Sequence, residues 1–215
     1  MQWKNQLIKY KPVTPTCKIC FEDIKQYNLY NILGKKPILC QKCMNSLVPI
    51  FERFKIGKIH ALSIYKYDEK IKSLLFQLKG CYDIELADVF LVRYIKEIKE
   101  MFNGYIVIPA PSYYIDDQRR GFNHVEEIYK GLKLHVCKAV TKIDEYKQSD
   151  QKKIDRINIS KHLKLSLLEN LQNKKILIVD DVYTTGHTIN AIIELIEPLK
   201  PKKIDVLVLA KTIQK

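Results

Sequence analysis

Glycine is scarce in this chain of 215 residues, with only seven. None falls into Gly-x-Gly-x-x-Gly or Gly-x-x-x-x-Gly-Lys-Ser/Thr, so a dinucleotide fingerprint and a Walker-type phosphate loop are both excluded. No apolar run approaches the ~20 residues needed to cross a bilayer. The start, Met1-Gln-Trp-Lys-Asn-Gln6, lacks the apolar core of a signal peptide, so a cytoplasmic protein is expected. Internal repeats and low-complexity tracts are also missing. What is present is a globular composition, 47% apolar, with room for one α/β domain plus a small appendage.

The most informative stretch is Lys175-Ile-Leu-Ile-Val-Asp-Asp-Val-Tyr-Thr-Thr-Gly-His-Thr188. Its flat apolar run reads as a central strand of a parallel sheet, buried on both faces. Ile189, Ile192, Ile193 and Ile196 follow at helical spacing. In an open α/β sheet, ligands bind at the carboxyl ends of the strands, where Asp180 to Thr188 fall. No cation lies within four residues of Asp180 and Asp181, so two carboxylates stand at the crevice mouth, suited to vicinal hydroxyls or Mg²⁺. Thr184, Thr185, Gly186 and Thr188 supply hydroxyls and a position without Cβ. The helix that starts there adds free N–H groups and the positive end of its dipole, a cradle for phosphate. Taken alone, the acids read as helix N-terminal charges and the threonines as caps. The whole array reads as a site for a sugar phosphate, with ribose 5-phosphate fitting both ends.

This array resembles the phosphoribosyl pyrophosphate (PRPP) loop of the type I phosphoribosyltransferases: an apolar strand, two acids, a variable pair, Thr-Thr-Gly and a further Thr. The resemblance implies that Asp180 and Asp181 hold the ribose hydroxyls and that Thr184, Thr185, Gly186 and Thr188 wrap the 5-phosphate. His187 stands where a small residue is usual and offers its main-chain N–H.

Cys17-x2-Cys20 and Cys40-x2-Cys43 have the spacing of a four-cysteine zinc site, two knuckles giving two thiolates each. A disulfide framework is the rival, disfavoured in a reduced cytosol. With all four positions taken by protein, the zinc is structural and folds a segment too short for its own core. Cys81 and Cys137 carry no neighbouring motif and read as bystander thiols. The net charge of +13 is uneven: residues 1–60 hold 11 Lys or Arg against 3 Asp or Glu, residues 61–215 hold 26 against 21. Around the knuckles, Trp3, Tyr10, Phe21, Tyr27 and Tyr30 alternate with Lys4, Lys9, Lys11, Lys18, Lys25, Lys35 and Lys36. Aromatic faces beside cations serve single-stranded nucleic acid. A small zinc domain also needs aromatics for packing, and lysine for solubility.

Phe54 to His60 reads as a short connection, and the domains are drawn as 1–55, binding zinc, and 56–215, phosphoribosyltransferase-like. Ile71, Leu74, Leu75 and Leu78 predict one amphipathic helix, and Ala87, Leu91, Tyr94, Ile95 and Ile98 a second. Tyr105-Ile-Val-Ile-Pro-Ala-Pro111 reads as a buried strand stopped by prolines. Val125, Ile128, Tyr129 and Leu132 predict a helix, and Ile204 to Ala210 a last strand. Strands alternating with helices give an α/β fold, a parallel sheet flanked by helices. Asp116 to Asn123 reads as a loop at the ligand edge. There Arg119 and Arg120 either clamp a pyrophosphate bidentately or form a surface pair neutralised by Asp116 and Asp117.

The order of these features resembles the ComF (GntX-like) family of competence-associated proteins over nearly the whole chain. They are the zinc knuckles, Tyr-x-Tyr before a helix ending Leu78-Lys79-Gly80, Pro-x-Pro, Arg-Gly-Phe-Asn at Arg120 to Asn123, a connector with Gln148 and Arg156, and the PRPP loop. His124 stands where the family usually has Gln, and Arg156 and Asn158 are separated by one residue instead of two. The resemblance implies a type I phosphoribosyltransferase-like sheet with a zinc-ribbon-like amino-terminal domain. It implies PRPP with magnesium at the loop, and Lys79, Ala110, Pro111, Arg119 and Arg120 near the pyrophosphate. The implied partners are single-stranded DNA and competence machinery proteins, at the inner face of the membrane. No residue is assigned as catalytic. Positioning and electrostatic groups for phosphoribosyl transfer can be named, but no hood for an acceptor is identifiable, so an active transferase is the alternative to a PRPP-binding protein.

Overall fold

The computed structural model describes residues 14–24, 37–142, 163–166 and 169–212. Trp3, Tyr10, Tyr27 and Tyr30, the lysines at 4, 9, 11, 25, 35 and 36, and Gln148, Arg156 and Asn158 lie outside the described residues. The chain separates into two compact units, Met1–Ser46 and Leu47–Lys215. The break precedes the expected 55/56 boundary because the segment read as a connection is a hairpin. Glu52–Ile56 (β1) pairs antiparallel with Ile59–Lys66 (β2), Phe54 opposite Ala61 and Ile56 opposite Ile59. Gly57, at φ 57°, supplies the left-handed turn that a two-residue connection needs.

The second unit is built on one six-stranded sheet. Tyr105–Pro109 (β3), His135–Val136 (β4), Lys175–Tyr183 (β7) and Lys203–Lys211 (β8) join the hairpin in the order β1-β2-β8-β7-β3-β4. All neighbours except β1 and β2 run parallel. Val140–Lys142 (β5) and Leu163–Leu165 (β6) form a separate antiparallel pair. In β7, Ile176 to Val179 are all fully buried, as a strand covered on both faces requires. Ile176 and Ile178 pack with Ile189, Ile192 and Ile196 of the helix His187–Ile196, while Leu177 and Val179, alternate along the strand, point the other way.

The helix Glu69–Gly80 forms as the spacing predicts, capped by Asp68, whose carboxylate accepts from the Ile71 N–H at 2.9 Å, and buries Ile71, Leu74, Leu75 and Leu78. The second expected helix is interrupted. Ile84–Phe90 is 3₁₀, and the α-helix occupies only Ile95–Met101. Leu86, Ala87, Val89, Phe90 and Ile98 turn inward across the two forms while Ile84 and Met101 stay exposed, so the periodicity did not separate one form from the other. The expected loop at Asp116 to Asn123 is a helix over Tyr114–Arg120 that buries none of its residues. Its ends account for it: Asp116 and Asp117 in the first turn, Arg119 and Arg120 in the last, and Gly121 beyond at φ 80°. Asn123 then caps His124–Tyr129 by accepting from the Glu126 N–H at 3.0 Å.

Strand order positions the site. From β3 the chain moves outward to β4, and from its neighbour β7 it moves the opposite way to β8. Adjacent parallel strands whose connections diverge leave a crevice beyond their carboxyl ends, the switch point where open α/β sheets bind ligands. β3 is followed there by Ala110-Pro111, and β7 carries Asp180 and Asp181 just past its last pairing with β3, Pro109 opposite Val179.

Candidate functional site

A cavity of about 330 Å³ occupies this switch point, lined by Ala110 and Pro111 from β3, Asp180 and Asp181 from β7, Thr188 from the helix after it, and Lys79, Arg120 and His124 from the surrounding helices. The two acids are strand residues, seven and six positions ahead of the helix that begins at His187. They are therefore not helix N-terminal charges. The loop between is held by Gly186 at φ 76°, where an added Cβ would lie 2.5 Å from the Tyr183 hydroxyl oxygen. Both the backbone angle and the tyrosine ring demand glycine. Thr184 and Thr185 are exposed on this loop, and the Thr185 hydroxyl is 2.7 Å from Nδ1 of His187.

Asp181 is buried. Its Oδ1 accepts from the Val182 N–H at 2.7 Å, and its Oδ2 meets the Lys79 ammonium and lies 3.4 Å from Nε2 of His124. Asp180 accepts from the Asp181 N–H at 2.8 Å, and its carbonyl receives the Tyr129 hydroxyl at 2.9 Å. Burial pushes the Asp180 carboxyl up to about 7, despite the opposing pull of Lys79 and Lys142. Burial, reinforced by Arg120 and Lys142, brings Lys79 down to about 8 against the pull of Asp180. Burial first, then Lys79, Arg120 and Lys142, holds His124 down at about 2. At neutral pH the histidine is uncharged and the lysine is an ammonium.

The Arg-Gly-Phe-Asn segment builds the wall behind the acids. Arg120 contacts Nδ1 of His124 at 3.0 Å, Oδ1 of Asp117 at 3.0 Å and the Asp116 carbonyl at 3.1 Å. Asn123 donates to Asp117 Oδ2 at 3.0 Å and to the Ser112 hydroxyl at 2.8 Å, and Ser112 donates to Asp117 Oδ1 at 2.5 Å. Guanidinium only donates, so Nδ1 of His124 accepts and its proton sits on Nε2, facing Asp181. One acceptor toward Arg120 and one donor toward Asp181 is also what a glutamine amide presents. This accounts for histidine at a position that resembles a family glutamine.

The two arginines part company. Arg120, with 7% of its side chain exposed, lines the switch-point cavity, whereas exposed Arg119 lines a second cavity beside it. The sequence reading did not find Lys142, Ser112, Asp117 or Tyr129 as site residues. Tyr129 lay on an apolar helical stripe, and Lys142 on a short strand with no motif. Asp117 was seen only as a neutralising charge.

In the first unit the ligand atoms of Cys17, Cys20, Cys40 and Cys43 all lie within 4.8 Å of one another. Tetrahedral Zn–S bonds of about 2.3 Å place sulfurs about 3.8 Å apart, and Cys20 and Cys40 Sγ stand at 3.6 Å. The cluster can hold a metal ion. Its loops are folded to that end: Phe21 N–H donates to the Cys17 carbonyl, and Cys43 N–H faces Cys40 Sγ at 3.5 Å at the start of the helix Gln41–Ser46. Of the other thiols, Cys81 is exposed and Cys137 is buried, the latter pushed up to about 12 by burial.

Residues 118–215 match the phosphoribosyl transferase domain family. Competence protein ComFC of Streptococcus pneumoniae is 29% identical over 192 residues, 87% of this chain and 82% of that protein. Competence protein F of Haemophilus influenzae is 26% identical over 210 residues, 91% of this chain and 90% of that one. Among solved structures, a hypoxanthine-guanine phosphoribosyltransferase from Bacillus anthracis aligns with a TM-score of 0.38 at 16% identity, over 60% of this chain and 68% of that one. A purine phosphoribosyltransferase from Pyrococcus horikoshii aligns with a TM-score of 0.35 at 23% identity, over 58% and 73%. A phosphoribosyltransferase domain that follows a four-cysteine cluster in sequence, and two competence proteins matched over 82% and 90% of their own length, make this chain similar to the ComF competence proteins.

Proposed function

We propose that the switch-point cavity binds PRPP with Mg²⁺, and that the protein serves natural transformation, handling single-stranded DNA through its basic amino-terminal unit. The observation that carries the first part is the pairing of Asp180 and Asp181 at the end of β7 with the Gly186 turn below them. In this reading the acids take the ribose hydroxyls, while the main-chain N–H groups and hydroxyls from Thr184 to Thr188 take the 5-phosphate. Lys79, with Arg119 and Arg120 nearby, offsets charge on the pyrophosphate beside Ala110 and Pro111. Paired carboxylates are hard oxygen donors of the kind that hold Mg²⁺, which would neutralise the pyrophosphate. The competence role rests on the names of the two relatives, and DNA handling on the charge of residues 1–60.

Replacing both Asp180 and Asp181 with Asn is expected to abolish PRPP binding by calorimetry while leaving the fold, since the change removes charge without touching the apolar core. Unchanged affinity would refute the assignment. For DNA, a salt-dependent gel shift with a single-stranded oligonucleotide is expected, because each phosphate contact releases counterions. A second reading, transfer of phosphoribose to a nucleobase or amine, is favoured by the larger cavity that shares Lys79 and Arg120 with the first and leaves room for an acceptor. Pyrophosphate release on adding candidate acceptors to PRPP and Mg²⁺ separates the two.

A further inference from the structure

The neighbouring cavity, of about 690 Å³, is in the size range of small-ligand sites and meets the switch-point cavity at Lys79, Asp116 and Arg120. Its lining combines aromatic rings with cations. Phe76 is 66% exposed and Tyr82 49%, both facing a cavity instead of a core. Phe76 packs closely over Gly80, where an added Cβ would come within 3.1 Å of the ring, and the side chain is still largely open to the cavity. Tyr82 occupies the left-handed region at φ 61°, a conformation costly for a bulky residue. It is fixed on both sides, by the Cys81 and Asp83 N–H groups donating to the Gln77 carbonyl and by Ile84 N–H donating to its own carbonyl.

Charge in the cavity favours an anion: Lys72, Lys79, Arg119 and Arg120 face Glu69 and Asp116. Arg120 is committed to its own wall, and Lys72 pairs with Glu69 at 3.5 Å. Arg119 has no hydrogen-bond or ion-pair partner among the described residues. A ligand completing this surface carries a flat ring for Phe76 and Tyr82 and a phosphate for Arg119. We infer that the cavity binds a nucleotide unit, a nucleobase with its attached phosphate, either as a free mononucleotide or as one nucleotide of a single strand. The site stands beside the PRPP reading and fails separately from it.

The test is calorimetry with AMP, dTMP, adenosine and a short oligothymidylate on the full protein, alongside PRPP with Mg²⁺. The double variant Phe76→Leu, Tyr82→Leu changes two exposed rings and should keep the fold. It is expected to weaken mononucleotide binding about tenfold or more, the scale of lost base stacking, while PRPP affinity stays within about twofold. Arg119→Gln is expected to weaken AMP but not adenosine. Asp180→Asn with Asp181→Asn should leave AMP binding intact. If AMP and dTMP bind, the source is free nucleotide; if only the oligonucleotide binds and the ring variant weakens it, the source is a strand. The inference is overturned if no nucleotide or oligonucleotide binds, or if binding is unmoved by the ring variant, or if it disappears with the two aspartates. Loss of PRPP binding alone overturns the PRPP reading and leaves this one standing.

Discussion

At the scale of single residues, His124 is the position whose role is most sharply defined. Its neutral ring accepts from Arg120 and donates toward Asp181, so His124→Gln preserves both partners and is expected to keep PRPP affinity within about twofold, whereas His124→Ala, which leaves Arg120 and Asp181 without it, should weaken binding. The same variant changes the response to acid. A histidine held at about 2, against an ordinary value of 6.5, contributes stability that is present above pH 6.5 and is lost as pH falls, because the unfolded chain takes up the proton first. Asp180 has the opposite sign. Raised from 3.8 to about 7, its carboxyl favours the folded state at low pH, and that contribution is lost as pH rises from about 4 to 7. His124→Gln should therefore show a smaller fall in Tm between pH 6.5 and 4.5 than the unaltered protein, measured by calorimetric scans. Ligand binding adds a second pH signature. If the ribose hydroxyls need an ionised Asp180, PRPP affinity should rise through pH 7 with release of a proton, visible as a buffer-dependent binding enthalpy. It should decline above about 8, where Lys79 loses its charge; Lys79→Arg should remove the decline.

At the scale of elements, the Gly186 turn and the β3–β8 region lend themselves to direct tests. Gly186→Ala puts a side chain at φ 76° and against Tyr183; a loss of about 1–3 kcal/mol in stability with weakened PRPP binding is expected by denaturant titration and calorimetry. The backbone angle persists when Tyr183 is also trimmed to Ala, so that second change should restore only part of the loss. Tyr105 donates to Asp205 Oδ2 at 2.6 Å within the sheet, and Lys203 reaches the same oxygen at 2.6 Å. Tyr105→Phe should therefore cost on the order of 1 kcal/mol and leave PRPP affinity unchanged. The elements legible in the sequence were those whose burial is uniform. β3, β7 and β8 are flat apolar runs, and the helix Glu69–Gly80 has a clean apolar stripe. The β1–β2 hairpin was hidden because Glu52, Arg53, Lys55 and Lys58 made it look like a linker, although Gly57-Lys58 between alternating residues was a usable signal. The helix Tyr114–Arg120 was hidden because it buries nothing and has no stripe to read. Asp180, Asp181 and the Gly186 loop were legible because strand, turn and helix follow one another in sequence. Lys142 and Tyr129 were not, because only the tertiary fold brings them to the acids.

At the scale of the whole molecule, the two units differ in what holds them. Leu47–Lys215 has a sheet whose central residues, from Ile176 to Val179 and from Val206 to Ala210, are buried almost completely. Among the described residues of Met1–Ser46, the buried apolar side chains are Cys17, Ile24, Leu39 and Cys43, two of them ligands of the cluster. In the described stretches 14–24 and 37–46 two of these four buried side chains are the thiols themselves, so metal binding and folding are expected to be one event there. Cys17→Ser or Cys40→Ser should lower bound zinc by elemental analysis and expose the first unit to protease. The cleavage products should include a resistant fragment beginning near Leu47, with the calorimetric transition of the sheet and its PRPP affinity preserved. Single-stranded DNA retention in the gel shift should fall with the zinc, because residues 1–60 carry a disproportionate share of the excess positive charge. Full zinc content in either variant would remove that thiol from the ligand set. Loss of PRPP binding together with the zinc would mean that the first unit supports the sugar-phosphate site, and that the acids of β7 are not sufficient without it.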